Sequence, residues 1–207
     1  MACPDDGGQI MTVAAPPRKP PTSAKSSVTK YAEAVVRSKV VANRLVRLAC
    51  ERHLRDLKRP DIWFDEAEAV WVIEFYSHLA LSGEWSGQPF VLEPWEQFIV
   101  GSTFGWKLPD GTRRFNVVYI EVGKSNGKTP LAGGTGLYML TADGVERAEV
   151  YSAAVDRDQA QILFRDVVAM VDVTPSLDAR LTRSGGRGKE WNLAYLDTRS
   201  FFRPISS

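Results

Sequence analysis

The spacing of apolar residues changes character along this chain, and each change predicts a different element. Between Thr29 and Lys58, Val41, Leu45 and Leu48 are separated by four and three positions, with Val46, Cys50, His53 and Leu57 on a neighbouring stripe. That period predicts one long helix. Arg59-Pro60 should stop it, because a residue before proline avoids helical backbone angles. A second helix is predicted from Asp65, where Asp65 and Glu68 stand at capping-box spacing, to Gly83, with Val72, Tyr76 and Leu79 packing on the first. Pro94 suits the first turn of a short helix, "PWEQFIVGSTFGW", whose Trp95, Phe98 and Ile99 form one face.

Beyond it, Phe115 to Val122 is a near-continuous apolar run and reads as a buried strand. Leu131 to Leu140 reads as a helix, although Gly133, Gly134 and Gly136 each lower its propensity by about 1 kcal/mol. Glycines there permit close packing on a sheet. Ala148 to Ala154 reads as a further strand, and Asp156 to Val171 as a helix with Leu163, Val167 and Met170 on one face and Asp156 and Gln159 at capping-box positions. Strand, helix, strand, helix predicts an α/β fold with right-handed crossovers and a parallel sheet. "RLTRSGGRGK" reads as a hairpin connection, and "EWNLAYLD" and "SFFRPIS" as short strands.

The chemistry concentrates where the strand of Phe115–Val122 meets the helix after it. Gly123-Lys124-Ser125-Asn126-Gly127-Lys128-Thr129 lies there. A strand ending in a Gly-Lys-Thr turn aims backbone N–H groups and a helix N-terminus at one point, which favours an anion. Lys128 would reach the terminal phosphates of a nucleotide and Thr129 a magnesium ion. The usual pattern of such loops wants glycine at position 122, where this chain has Val122.

Composition narrows the class. At 207 residues, 44% hydrophobic and 25% charged, the chain can bury a core without disulfides. Its two cysteines, Cys3 and Cys50, suggest neither a disulfide framework nor a metal cluster, so a reducing cytoplasm is the natural reading. "MACPDDGG" has acidic residues where a signal peptide needs basic ones, and no stretch approaches the ~20 apolar residues of a membrane span. Residues 1–27 are rich in Pro, Ser, Gly and Ala, the composition of a disordered tail.

The formal net charge of +1 conceals an asymmetry: Arg18 to Arg59 holds twelve Lys or Arg against Glu33, Glu51 and Asp56, a surplus of nine. Such a segment could meet DNA phosphates or an acidic partner; a solvated helix face is the alternative. His53 and His78 are the only histidines and read as packed or surface helix residues, since no cysteine or second histidine stands at ligand spacing.

Several stretches, in order and spacing, resemble the ATPase part of the large terminase subunit of tailed bacteriophages. They are "PFVLEPWEQFIVGSTFGW", "RRFNVVYIEVGKSNGKTPLAGGTGLYML", "AEVYSAAVDRDQAQILFRDVVAMV" and "SFFRPISS". "RLVRLACERHLRDL" and "FDEAEAVWVIEFYSHL" look like that family's helical lead-in. The resemblance implies a P-loop NTPase core of the ASCE type with an N-terminal helical extension, divided as tail 1–27, lead-in 28–90 and partial ATPase domain 91–207.

It implies ATP and Mg²⁺ as cofactors, held by Gly123, Ser125, Asn126, Gly127, Lys128 and Thr129, with Thr129 on the metal. Lys128 and Lys124 would act on the γ-phosphate, Lys124 standing where family members often carry an arginine. Lysine keeps that charge and loses the planar fork. The family's adenine-reading glutamine follows a tryptophan; here Glu96 takes that place and Gln97 comes next, so Gln97 is the candidate base contact. Arg157, Arg183, Arg187 and Lys189 are candidate contacts to phosphate, DNA or a neighbouring subunit.

The implied setting is a DNA-packaging motor in the host bacterial cytoplasm, not at a membrane. Its partners would be double-stranded DNA, the small terminase subunit, the portal and procapsid, and further copies of itself. The family's second acidic motif closes a strand in Asp-Glu, and no apolar run closing that way follows Thr129. The expectation is therefore a chain without that motif or the nuclease domain, inactive or very weak as an ATP hydrolase alone. Two alternatives remain at this point: a non-catalytic module that docks DNA, small subunit or portal, and an unrelated P-loop NTPase or kinase.

Overall fold

A computed structural model describes residues 26–206. The expected tail of residues 1–27 falls outside it apart from Ser26 and Ser27, which open the first helix. That helix, α1 (Ser27–Val36), is capped by the Ser26 hydroxyl accepting from the Thr29 N–H. The long helix expected over Thr29–Lys58 is in fact two. Ser38 takes a left-handed conformation (φ 58°) and ends the first run; α2 (Arg44–Asp56) restarts at Asn43, whose side chain accepts from the Val46 N–H at 2.9 Å.

The break lets α2 fold back on α1, and Val28, Ala32, Val35 and Cys50 pack together with Ala69 and Phe98. It also decides which stripe of α2 is buried. Cys50 and His53 face inward, whereas Leu45 and Leu48 lie outward, 69% and 46% exposed, and Val41 precedes the helix altogether.

A short antiparallel pair, β1 (Trp63–Phe64) with β2 (Trp106–Lys107), brackets α3 (Glu66–Ser77) and α4 (Pro94–Gly105). Asp65 caps α3 by accepting from the Glu68 N–H at 3.0 Å, as its spacing predicts. The helix ends at Ser77 rather than Gly83, because the chain turns back there: the Phe90 N–H donates to the Leu79 carbonyl, and Ala80 bridges Pro89.

The main core lies between helices α5 (Lys128–Thr141) and α6 (Arg157–Asp172) and a four-stranded sheet. Its strands are β3 (Glu149–Ala154), β4 (Leu181–Ser184), β5 (Asn192–Tyr195) and β6 (Ser200–Ser206), in the order β3-β6-β5-β4. The sheet is mixed, not parallel throughout. β3 runs parallel to β6, with Val150 opposite Phe202, while β5 is antiparallel to both its neighbours. The short connection between β4 and β5 explains this, since a crossover to a parallel strand needs a dozen residues or more. After α6 comes one further turn of helix, α7 (Pro175–Asp178).

The glycines of α5 do what their sequence position suggested. A Cβ on Gly136 would come within 2.6 Å of the Phe202 ring, and one on Gly134 within 2.3 Å of Tyr76. Tyr76 is fully buried, and its hydroxyl donates to the Leu131 carbonyl at 2.7 Å. Glycine thus allows α5 to lie against both the sheet and α3.

One predicted strand is missing. Residues 115–123, between β2 and α5, join neither sheet. Val117 and Tyr119 are 87% and 83% exposed, and Val118 and Ile120 44% and 40%. Apolar content and β-branching favour a strand only where ladder partners exist to take up its N–H and C=O groups, and among the described residues none flanks this segment.

Candidate functional site

Gly127 is the N-cap of α5, in a left-handed conformation (φ 70°, ψ 12°) that a glycine adopts without strain. No side chain caps the helix, and its first turn carries no acidic residue. A 14-residue helix therefore presents its first N–H groups, with the positive end of its dipole, towards the loop before it. Lys128 and Thr129 are its opening residues.

Gly123, Lys124, Ser125 and Asn126 are exposed, while Gly127 and Thr129 are partly covered. Ser125 also has positive φ (65°), and the Asn126 carboxamide donates to the Lys124 carbonyl at 3.2 Å. Two left-handed residues bracketing Asn126 curl the backbone on itself, a shape that gathers N–H groups around an anion. The donor set fits phosphate oxygens. It fits magnesium less completely: Thr129 offers one oxygen, and the described residues contain no group of three His, Cys, Asp or Glu side chains suited to a metal. An ion here would take its other ligands from phosphate and water.

The two candidates on α4 separate clearly in space. The Gln97 carboxamide donates to the Leu92 carbonyl, just before α4, at 2.8 Å. Glu96, 5% exposed, is the residue that meets the loop: a Cβ built on Gly127 would lie 3.4 Å from its Oε1. Its Oε2 accepts from the Glu93 N–H at 2.8 Å, and the Glu93 side chain accepts from the Glu96 N–H, a reciprocal cap of α4. Burial raises the pKa of the Glu96 carboxyl; the bond from the Glu93 backbone opposes that rise and the Glu93 charge adds to it. The spacing of Glu93 and Glu96 just before an apolar helix was the sequence signal for this arrangement.

A groove of ≈ 780 Å³ leads from the loop to the N-terminal helices. Trp95, Phe98, Val118 and Gly123 line it together with Arg52, His53 and Phe115. Arg52 and Arg114 both stack on the Phe115 ring, at 5.0 Å from its centroid, and Arg114 pairs with the buried Asp56 at 2.8 Å. The sequence did not bring these residues together, because nothing in their spacing places α2 at the start of the open segment.

His53 is buried as expected of a packed histidine. The Trp106 indole N–H donates to its Nδ1 at 3.1 Å, so Nε2 carries the proton facing Thr29 Oγ1, also at 3.1 Å. Arg183 bonds Asp172 and Asp178, which withdraws it from the exposed cations of the 185–190 loop. The Arg157 side chain lies outside the described residues.

Comparison with known proteins decides the relationship. The profile of the family "Terminase large subunit, ATPase domain" matches residues 94–184, from the start of α4 to the end of β4. This stretch is similar to the ATPase domain of terminase large subunits. The terminase large subunit of Enterobacteria phage HK97 is 29% identical over 131 residues, which cover 60% of this chain and 25% of that protein. The crystal structure of the HK97 bacteriophage large terminase aligns with a TM-score of 0.56 at 26% identity, covering 67% of this chain and 27% of that one. The chain thus spans about a quarter of the length of these terminases. The loop, α5 and Glu96 fall inside the matched stretch, and Glu93 directly precedes it.

Proposed function

We propose that residues 123–129 bind the phosphates of ATP with Mg²⁺, and that the chain is the nucleotide-binding part of a phage DNA-packaging motor. The observation that carries this reading is the uncapped, left-handed Gly127 opening α5 with Lys128 and Thr129, inside the terminase-matched stretch. Backbone N–H groups of the loop and the α5 dipole would hold β- and γ-phosphate oxygens, Lys128 would neutralise their charge, and Thr129 would supply one oxygen to the metal. Bound Mg²⁺ would offset charge developing on the γ-phosphate. Lys124, on the exposed approach to the loop, is proposed as a second cation towards the γ-phosphate.

On this reading residues 91–207 contribute to a P-loop ATPase core of the ASCE type and residues 28–90 form its helical lead-in. Hydrolysis coupled to DNA translocation, contacts with duplex DNA, the small subunit, portal and procapsid, assembly with further copies, and action in the host cytoplasm belong to the proposal as properties of the assembled motor. No helix among the described residues is long and apolar enough to cross a membrane. The alternative of an unrelated P-loop kinase gives way to the terminase match. A non-catalytic docking module remains a second reading, favoured by one observation: the exposed Leu45 and Leu48 share a stripe of α2 with Arg52 and Arg55.

Calorimetric titration with MgATP tests the main reading. Lys128→Ala should weaken binding by about 1.5–3 kcal/mol, the worth of a charge-assisted contact. Equal affinity for both proteins would remove the loop from the nucleotide site.

A further inference from the structure

The loop already has an anion beside it. Glu96 Oε1 lies against Gly127, at the N-terminus of a helix with no acidic residue in its first turn and no side-chain cap. The side chain cannot readily swing away, because it is buried at 5% exposure and its Oε2 is tied to the Glu93 N–H. A carboxylate there interacts favourably with the positive end of α5 when no ligand is present. A phosphate entering the same region meets a like charge in a partly desolvated setting, where screening is weak.

We propose that Glu96 is an internal competitor of nucleotide phosphate, an affinity-setting residue whose charge holds binding at the Gly123–Thr129 loop below what the loop alone would give. The proposal rests on the nucleotide reading above. Its chemistry differs from base recognition: a residue that reads a base acts on ATP and leaves pyrophosphate untouched, whereas a charge beside the phosphates acts on both.

Glu96→Gln isolates the charge. The carboxamide oxygen still accepts from the Glu93 N–H, so the α4 cap survives, and unchanged circular dichroism and melting temperature would verify this. Isothermal titration of the wild type, Glu96→Gln, Lys128→Ala and the double variant with MgATP and with magnesium pyrophosphate forms the test. Removing one unit charge about 10 Å or less from the phosphates should tighten both ligands about tenfold, and Lys128→Ala should weaken both in either background.

Unchanged or weaker binding by Glu96→Gln overturns the proposal, as does tightening confined to ATP, which would make position 96 a base contact. If Lys128→Ala leaves affinity unaltered while Glu96→Gln changes it, the loop reading fails separately. If neither the wild type nor Glu96→Gln binds either ligand, both readings fall together.

Discussion

Two apolar runs in this chain predict strands equally well, and only one becomes a strand. Residues 149–154 form β3, parallel to β6, with Val150 8% exposed beneath α5 and α6. Residues 115–122 are the more apolar of the two, yet they stand open, with Val117 at 87% exposure. What separates them is partnership. β3 has a neighbour in register and helices on one face; the other run has no strand beside it among the described residues. Strand propensity measures fitness for a half-buried pleated surface and cannot supply that surface. A helix makes its own hydrogen bonds, which is why α5 forms directly after a segment that does not pair.

The contrast should be largest where the paired region is densest. Phe202 is 1% exposed, stacks edge-on to Phe164 at 5.7 Å and fills the space opened by Gly136. Phe202→Ala should cost about 3–5 kcal/mol, read as a lowered midpoint in urea unfolding. A loss below about 1 kcal/mol would mean that this sheet is as loosely held as the open segment.

How much of this was legible in the sequence follows the same division. Features that are settled within a few residues could be read: the Asp65 and Asp156 caps, Pro94 at the head of α4, and the presence of α5, although α5 begins at Lys128 rather than Leu131 and β4 (Leu181–Ser184) lies inside the segment expected to be a connection. Features that depend on distant partners could not. The break after Val36 carries no glycine or proline, and the outward turn of Leu45 and Leu48 follows from how α2 meets α1. At the site, the loop and its helix were legible from the Gly-Lys-Thr run. The placement of Glu96 rather than Gln97 against Gly127 needed the depth and rotation of α4, which its period alone does not fix.

The N-terminal helices offer an intermediate test. His53, 3% exposed, has its pKa lowered to about 4, mainly by burial; the Asp56 charge opposes the shift and the Arg52 charge reinforces it. The unfolded chain takes up a proton near pH 6.5 and the folded chain does not until about 4. The unfolded state therefore binds more protons between those values, and stability falls as pH drops from about 6.5 to 4. The loss should reach about 3 kcal/mol at the acid end, since each pH unit between the two values is worth about 1.36 kcal/mol. Urea titrations at pH 7, 5.5 and 4.5 should show a shallower fall for His53→Gln than for the wild type, and parallel curves would place the acid sensitivity in other groups.

The smallest effect belongs to the open segment itself, and it is the sharpest check on the comparison. Val117 and Tyr119 alternate with the less exposed Val118 and Ile120, so their side chains project into solvent. The Tyr119 hydroxyl donates to the Glu121 carboxylate, two residues on, at 3.3 Å. Threonine at either position keeps a residue compatible with extended backbone and removes apolar surface that is already wet. Val117→Thr and Tyr119→Thr should each change stability by no more than about 0.5 kcal/mol, as surface substitutions do. Amide exchange supplies a second reading, because N–H groups without ladder partners exchange near the intrinsic rate, while those of β3 wait for larger openings. Substitutions costing about 2 kcal/mol, together with protected amides at 117–121, would mean that the segment finds a sheet edge in solution, in this chain or a second copy. The two apolar runs would then differ in where their partners come from, and no longer in whether they have any.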